Sequence, residues 1–364
     1  MYKKQVIISS YDDLKNPYFA GGGAHAVHSV AKRLASSKYA VTVITGRYPG
    51  SKNESIEGVT YQRTGTSFLG AQLDQLTFQF CLPFHVITKR FDCWIESFTP
   101  PFSTTFLQLF TRKPVIGLVH MLSGEDMKRK YIFPFDLIEK IGLKTYKTII
   151  VTSTTIKHKI QAINTKAKIV VISNGIEKIY VGKTNQREHI LFLGRIEVNQ
   201  KGIDLLLNAY AKIVNKIKYP LYLAGSGEKK EEAKLDRLME VHAISKKIKR
   251  LGRVNDEEKE TLYQNALFVV IPSRFETFSS VALEAMAHGR AIVCFDIDGL
   301  KWIPKNSSIK IKPFDEALFA NAILTLVKDT KKTKEIGIAG QEYAKKLTWE
   351  NITEEYEKVI LSVL

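Results

Sequence analysis

The stretch ALFVVIPSRFETFSSVALEAMAHG, residues 266–289, decides how this chain folds. Its first residues form a continuous apolar run closed by Pro-Ser, the pattern of a strand buried on both faces. VALEAMAHG then reads as a helix, with Ser279 or Ser280 as its N-cap and Gly289 closing its C-terminal end. Two acids stand in this unit. Glu276 falls in the loop at the strand's C-terminal end, and Glu284 one turn into the helix. The helix start between them offers unpaired N–H groups and a positive dipole end, a ready anion site. Glu284 also has a plain reading, as an acid offsetting the helix dipole. At the mouth of a cleft, Glu276 is harder to explain that way.

The same alternation runs nearly from end to end. Short apolar runs occur at QVIIS, AVTVIT, DCWIESF, PVIGLVH, TIIVTS and IVVIS, and a second series at HILFLG, PLYLAG, ALFVVIPS and AIVCFD. Amphipathic stretches such as GIDLLLNAYAKIVNKI separate them at helical spacing. Buried strands joined by helices make parallel sheets covered on both faces. The series breaks at NGIEKIYVGKTNQRE, residues 174–188, which is polar and opens on an Asn-Gly turn signal. The expected fold class is therefore α/β, with two Rossmann-like doubly wound domains at 1–180 and 181–345. Loops at the strand C-termini would line a central cleft between them. Residues 346–364 form one more amphipathic helix, expected to cross back to the first domain.

At 364 residues the chain exceeds one typical core, which agrees with two domains. Its apolar runs stop short of a membrane span or signal peptide, so a soluble or peripheral protein is expected. Cys81, Cys93 and Cys294 have no metal-ligand spacing and read as buried thiols in a reducing compartment, hence cytoplasmic. The net charge of +17 is uneven: residues 1–180 hold 24 Lys+Arg against 12 Asp+Glu. Such a half fits anionic partners, whether phosphorylated ligands, an anionic membrane leaflet or nucleic acid, and equally a solvated lysine-rich surface. No recognised nucleic-acid module accompanies it, so nucleic acid is not expected as a partner.

Further motifs carry chemistry at strand ends. LFLGRIEVNQKGIDLLLNA, residues 191–209, puts Arg195 just after a strand and Lys201 six residues on. A guanidinium and an ammonium so placed either clamp a diphosphate or are surface cations of an ordinary connection. NPYFAGGGAHAVHSVAKRLA, residues 16–35, opens a helix with three glycines that permit close backbone approach to a ligand. It is not the dinucleotide fingerprint, because Ala26 stands where a glycine is required. His25 and His28 flank this loop as helix surface, and His120 ends the strand VIGLVH, in a structural or a functional role. DID at 296–298 resembles a metal-holding triplet of some sugar transferases. A turn before Gly299 explains it better, so no metal is expected.

The order of GGG, a His after a strand, VISNGIE, LFLGR…KGIDLLLNA, LAGSGE, LGRV and PSRFETFSSVALEAMAHG resembles the retaining family 4 glycosyltransferases of the GT-B fold. The likeness covers nearly the whole chain and is strongest over 171–304, where Glu276 and Glu284 form a Glu-x7-Glu motif. It implies that Arg195 and Lys201 grip the donor diphosphate and that Glu284 binds the ribose. By the same likeness Glu276 lies beside the donor sugar, with backbone N–H groups from Phe278 through Ser279 to Ser280. Gly22 and Gly23 would approach the donor, His120 the transferred sugar, and Arg253 and Val254 the base. Thr277 and Ser279 depart from the family, which has glycines around the first acid, and their side chains bear on which sugar is accepted.

The implied protein is a metal-independent, cofactor-free, retaining hexosyltransferase using a nucleotide diphosphate sugar, UDP favoured. Its acceptor would be a glycan or lipid-linked precursor of a surface polysaccharide or glycoconjugate. The basic half suits contact with an anionic membrane, with KRKYIFPF, residues 128–135, as a candidate patch or equally a loop packed on its own domain. The rivals are a GT-B-fold sugar-nucleotide epimerase and a non-catalytic nucleotide-sugar-binding protein.

Overall fold

Apolar runs become strands and amphipathic stretches become helices in the computed structural model, which describes residues 3–17, 19, 21–180 and 187–364. The chain divides into two units, one running to Gly175 and including Trp349–Leu364, the other Ile176–Thr348. The boundary expected at 180/181 borders residues 181–186, which lie outside the described residues.

The first unit begins β1 (Lys4–Ser9), α1 (Gly22–Ser36), β2 (Tyr39–Gly46), β3 (Glu54–Ile56), β4 (Val59–Thr64) and α2 (Ala71–Thr88). It continues with β5 (Cys93–Ser97), β6 (Val115–Val119), α3 (Gly124–Tyr131), α4 (Phe135–Thr145), β7 (Thr148–Val151), α5 (Thr154–Ile163) and β8 (Lys168–Val171). Its sheet has the order β3-β4-β2-β1-β5-β6-β7-β8 and is parallel except for the β3–β4 hairpin.

The second unit begins β9 (His189–Leu193), α6 (Ile203–Ala211), β10 (Leu221–Ala224), α7 (Lys229–Val241), β11 (Ile248–Gly252) and α8 (Asp256–Asn265). It ends β12 (Ala266–Ile271), α9 (Ser280–Ala287), β13 (Ala291–Phe295), β14 (Ser308–Ile311), α10 (Glu316–Lys328) and α11 (Thr330–Ala344). All of its sheet, β11-β10-β9-β12-β13-β14, is parallel. The last helix, α12 (Trp349–Leu361), rejoins the first unit. There it packs on α1, with the Arg33 guanidinium donating to Glu350 Oε1 at 2.7 Å.

Pleating explains why the central strands read as continuous apolar runs. Ile190 and Phe192 of β9 join the core that holds Leu206 and Val270, whereas Leu191 between them joins the core of Val269 and Ile292. Both faces of the sheet are thus covered, and all six residues of β12 are buried. Strand order reverses between β1 and β5 in one sheet and between β9 and β12 in the other. Such reversals splay the crossing helices apart and open a crevice at the strand C-termini.

Four strands were not expected from the sequence: β3, β4, β11 and β14. β4 conceals an Arg63 side chain only 1% exposed, paired with the equally buried Asp13 at 2.9 Å. β11 is an edge strand that keeps Lys249 and Arg250 in solvent. Cys93 and Cys294 are buried, and burial pushes both thiols up to about 12. Cys81 is half-buried, and all three are free.

Candidate active site

In the second unit the loops after β9 and β12, neighbours at the switch point, are locked together. Gly202 sits at φ +62°, and a Cβ there would lie 2.0 Å from the Pro272 carbonyl oxygen, so only glycine lets the loops touch. Arg274 N–H donates to Gln200 O at 2.9 Å. The Arg274 guanidinium reaches Asn199 O at 2.8 Å and both Asp204 oxygens at 2.7 and 2.6 Å, a bidentate fork. This clasp carries Lys201 across to Glu276. Lys201 Nζ donates to Glu276 Oε1 at 2.7 Å, and Ser273 Oγ donates to the same oxygen at 2.8 Å. The pair is mostly shielded, with 20% and 10% of the two side chains exposed, where a charge interaction is screened less than on the surface.

Helix α9 begins beside this pair. Ser279, one of the two expected caps, is its N-cap, accepting from Ala282 N–H at 3.3 Å. The first turn contains no acid, so Glu284 does not offset the dipole there. Instead its Oε2 accepts from Tyr263 O–H at 2.9 Å and its Oε1 from Lys259 Nζ at 3.4 Å. Burial works against the charge of Lys259, but Glu284 and Asp256 outweigh it and hold the ammonium above its usual range. Burial, aided by Glu284, raises Tyr263 well above an ordinary phenol, so it remains a donor.

Phe278 stacks on Trp302, ring centroids 4.4 Å apart, and Thr277 is half-buried in the loop. Gly299 comes so close that a Cβ on it would stand 1.8 Å from Glu276 O. Asp298 accepts from Lys301 at 2.7 Å. Among the described residues no group of three or more His, Cys, Asp and Glu side chains comes together for a metal.

Arg195 is not brought to this cluster. Its side chain is 65% exposed and pairs with Glu197 on its own loop at 3.2 Å. Arg253 is exposed just after β11, and Val254 packs against the core of Val269 and Ile292. Ser273, Arg274, Asp204, Tyr263 and Lys259 were missed from the sequence. Arg274, two residues before Glu276, and Asp204, three after Lys201, were the available signals.

In the first unit Gly22 opens α1 with open space where a Cβ would go, whereas one on Gly23 would meet Asp12 Oδ2 at 3.0 Å. Burial lifts that carboxyl to about 6. His120 follows β6 directly. Its Nε2 is shielded without a partner among the described residues, and burial lowers the ring to about 4, so it is neutral at pH 7. His25 is exposed, but His28 is not helix surface. It is buried between Tyr61 O–H at 2.9 Å and Glu57 at 2.7 Å, because the β3–β4 hairpin covers it. Beyond the ends of β1, β2 and β4 lies a cavity of about 410 Å³ faced by Tyr11, Phe19, Tyr48 and Phe68, with Asn16 and Arg47.

Two α/β units, the second with a lysine–glutamate pair and a capped helix start at its switch point, make a two-unit architecture with a candidate anion site. Comparison makes the class specific. The family described as Glycosyltransferase Family 4 matches residues 20–178, and that described as Glycosyl transferases group 1 matches 187–329. An uncharacterised glycosyltransferase of Methanocaldococcus jannaschii is 28% identical, across 93% of this chain and 94% of that one. The O-antigen chain mannosyltransferase B of Escherichia coli is 32% identical over 45% of this chain and 43% of its own.

Among solved structures, the sucrose-phosphate synthase of Thermosynechococcus elongatus superposes with a TM-score of 0.83 at 20% identity, covering 99% of both chains. HepE of Anabaena in complex with UDP does so at 0.74 and 17%, covering 99% of this chain and 100% of that one. The chain belongs to the family 4 glycosyltransferases and has the GT-B fold.

Proposed function

We propose that this glycosyltransferase moves a sugar from a nucleotide diphosphate sugar, UDP favoured, to a glycan or lipid-linked acceptor, with retention and without a metal. The observation that carries the proposal is the Lys201–Glu276 pair at 2.7 Å beside the start of α9. UDP is bound by the structurally similar HepE, and the E. coli relative is an O-antigen mannosyltransferase, which supports surface-polysaccharide or glycoconjugate synthesis.

The chemistry follows from where charge develops. As the glycosidic bond to the diphosphate breaks, negative charge gathers on the leaving phosphate. Lys201 has three N–H donors; Glu276 orients it through one and two remain for phosphate oxygens. Arg195, paired with a carboxylate of its own loop, supplies a planar fork when it swings to the same diphosphate. The N–H groups at Phe278, Ser279 and Ser280 add the positive end of α9. The acceptor hydroxyl then attacks from the face the diphosphate vacates, and the departing phosphate takes its proton. Thr277 and Ser279 border the sugar. Arg253 and Val254 meet the base. Retention and metal independence are separate parts of this proposal. A β-linked product from an α-configured UDP-sugar overturns the first, and activity abolished by a chelator and restored by a divalent cation overturns the second.

Glu284 takes the ribose hydroxyls, pre-positioned by Tyr263 and Lys259. Hydrogen bonds to a charged group contribute about 1.5–3 kcal/mol. Glu284→Ala should therefore weaken UDP binding by roughly tenfold or more in calorimetry. Unchanged affinity removes the ribose role.

The acceptor meets the basic first unit, for which the cavity beyond β1, β2 and β4 is the natural receptor, and the enzyme works in the cytoplasm at an anionic membrane face. No helix among the described residues is long and apolar enough to cross a membrane. Contact of the first unit with lipid is peripheral in this proposal.

A further inference from the structure

Helix α2 presents large apolar side chains on two faces, and only one of them is covered. Phe78, Leu82 and Val86 face the sheet at no more than 3% exposure. On the opposite side Leu73, Phe80, Phe84 and Ile87, spaced by seven, four and three residues, are 51%, 71%, 66% and 64% exposed. A second apolar stripe left uncovered opposite the buried one calls for another apolar neighbour, protein or lipid. Beside α2 packs the 3-10 turn Leu107–Leu109, where Leu109 and Phe110 are again exposed. Six large apolar side chains on one region exceed the scattered exposure normal for a soluble surface.

Charge decides what covers them. Residues 75–91 and 97–113 contain Lys89, Arg90, Arg112 and Lys113 and not one acid. These cations gather at one end, since Lys113 Nζ donates to Phe91 O and lies 5.2 Å from the Phe91 ring centroid. Those two segments offer a second copy no carboxylate to pair with these cations, whereas an anionic bilayer complements both the apolar stripe and the charge.

The patch at 128–135 differs. Lys128 pairs with Asp136 at 3.1 Å, and Arg129 lies 3.8 and 3.9 Å from Glu125 and Asp126, so much of its positive charge is answered locally. It still extends the apolar region. Rings run from Phe80 to Phe102 at 6.3 Å, to Phe135 at 5.3 Å and to Phe133 at 4.9 Å, and Ile132 is 95% exposed.

We infer that the outer face of α2 is the surface by which the enzyme lies on an anionic bilayer, Phe80, Phe84 and Ile87 entering the interface and Arg90 and Arg112 meeting phosphate headgroups. This rests on the peripheral membrane contact proposed above and names the element that makes it. The full-length protein is sedimented with vesicles of phosphatidylcholine alone, or of equal parts phosphatidylcholine and phosphatidylglycerol. Binding is expected only to the anionic vesicles. Arg90→Glu with Arg112→Glu should weaken it by about fivefold or more per site, and Phe80→Ser with Phe84→Ser by about tenfold or more.

These side chains are exposed, so urea midpoints and UDP affinity should stay at wild-type values. Phe84→Trp supplies a direct reading, the fluorescence of the introduced indole being quenched by brominated lipid. Wild-type vesicle binding that persists in the serine variant, with no quenching of that indole, overturns the α2 assignment and keeps membrane contact elsewhere. No binding of the wild type to anionic vesicles overturns both. A wild type that self-associates, becoming monomeric in the serine variant, overturns the lipid in favour of a second copy. Absence of UDP binding in the wild type would instead overturn UDP as the donor nucleotide and leave the α2 assignment to the vesicles.

Discussion

Replacing Lys201 by Ala should lower kcat about 100- to 1000-fold, the usual cost of one preorganised charge aimed at a developing anion. The variant removes the ammonium beside Glu276 and leaves Ser273 as a donor to that carboxylate. Its effect should fall more on kcat than on donor KM, because the diphosphate, already anionic when bound, gains a further charge as the bond breaks. Arg195→Ala should be comparably severe if the guanidinium leaves Glu197 during the reaction. Steady-state rates with a turned-over UDP-sugar, alongside urea midpoints to exclude unfolding, make the comparison. A fall below about threefold for both variants would falsify the assignment of these cations to the diphosphate.

Lys201 and Arg195 show where sequence and structure part. Both were candidates from the order of motifs, yet their spacing of six residues said nothing of which side chain turns to Glu276. That depends on a clasp made by Arg274, Asp204 and Gly202, residues whose partners are remote in sequence. Central strands such as β9 and β12 were legible because both their faces are buried, which writes an uninterrupted apolar run into the chain. Edge strands such as β11 carry lysine and arginine into solvent and erase that run. β4 was hidden for the opposite reason. Its Arg63 is buried and neutralised by Asp13, 50 positions earlier, a pairing that no local pattern reveals. Glu284 could be placed in α9 from its spacing. Its partners Tyr263 and Lys259 belong to a different helix, which no local period connects to it.

Gly202→Ala tests the clasp itself. A non-glycine residue in the left-handed region costs about 1–2 kcal/mol before any contact is considered. Here the added methyl would also stand 2.0 Å from the Pro272 carbonyl oxygen, a backbone atom that cannot rotate away. The loops after β9 and β12 must therefore separate, and Lys201, the residue immediately before, moves with them. Displacement of a catalytic group by about 1 Å is enough to cost roughly 100-fold, so activity should fall at least that far at temperatures where the protein is still folded. The urea midpoint should fall as well. Gly22→Ala provides the stability control, because nothing described lies within 4 Å of its added Cβ and its backbone is not left-handed. A Gly202→Ala enzyme with wild-type kcat and midpoint would mean that the loops tolerate separation. Lys201 would then owe its place beside Glu276 to the ion pair alone, and preorganisation by the fold would have no part in the chemistry.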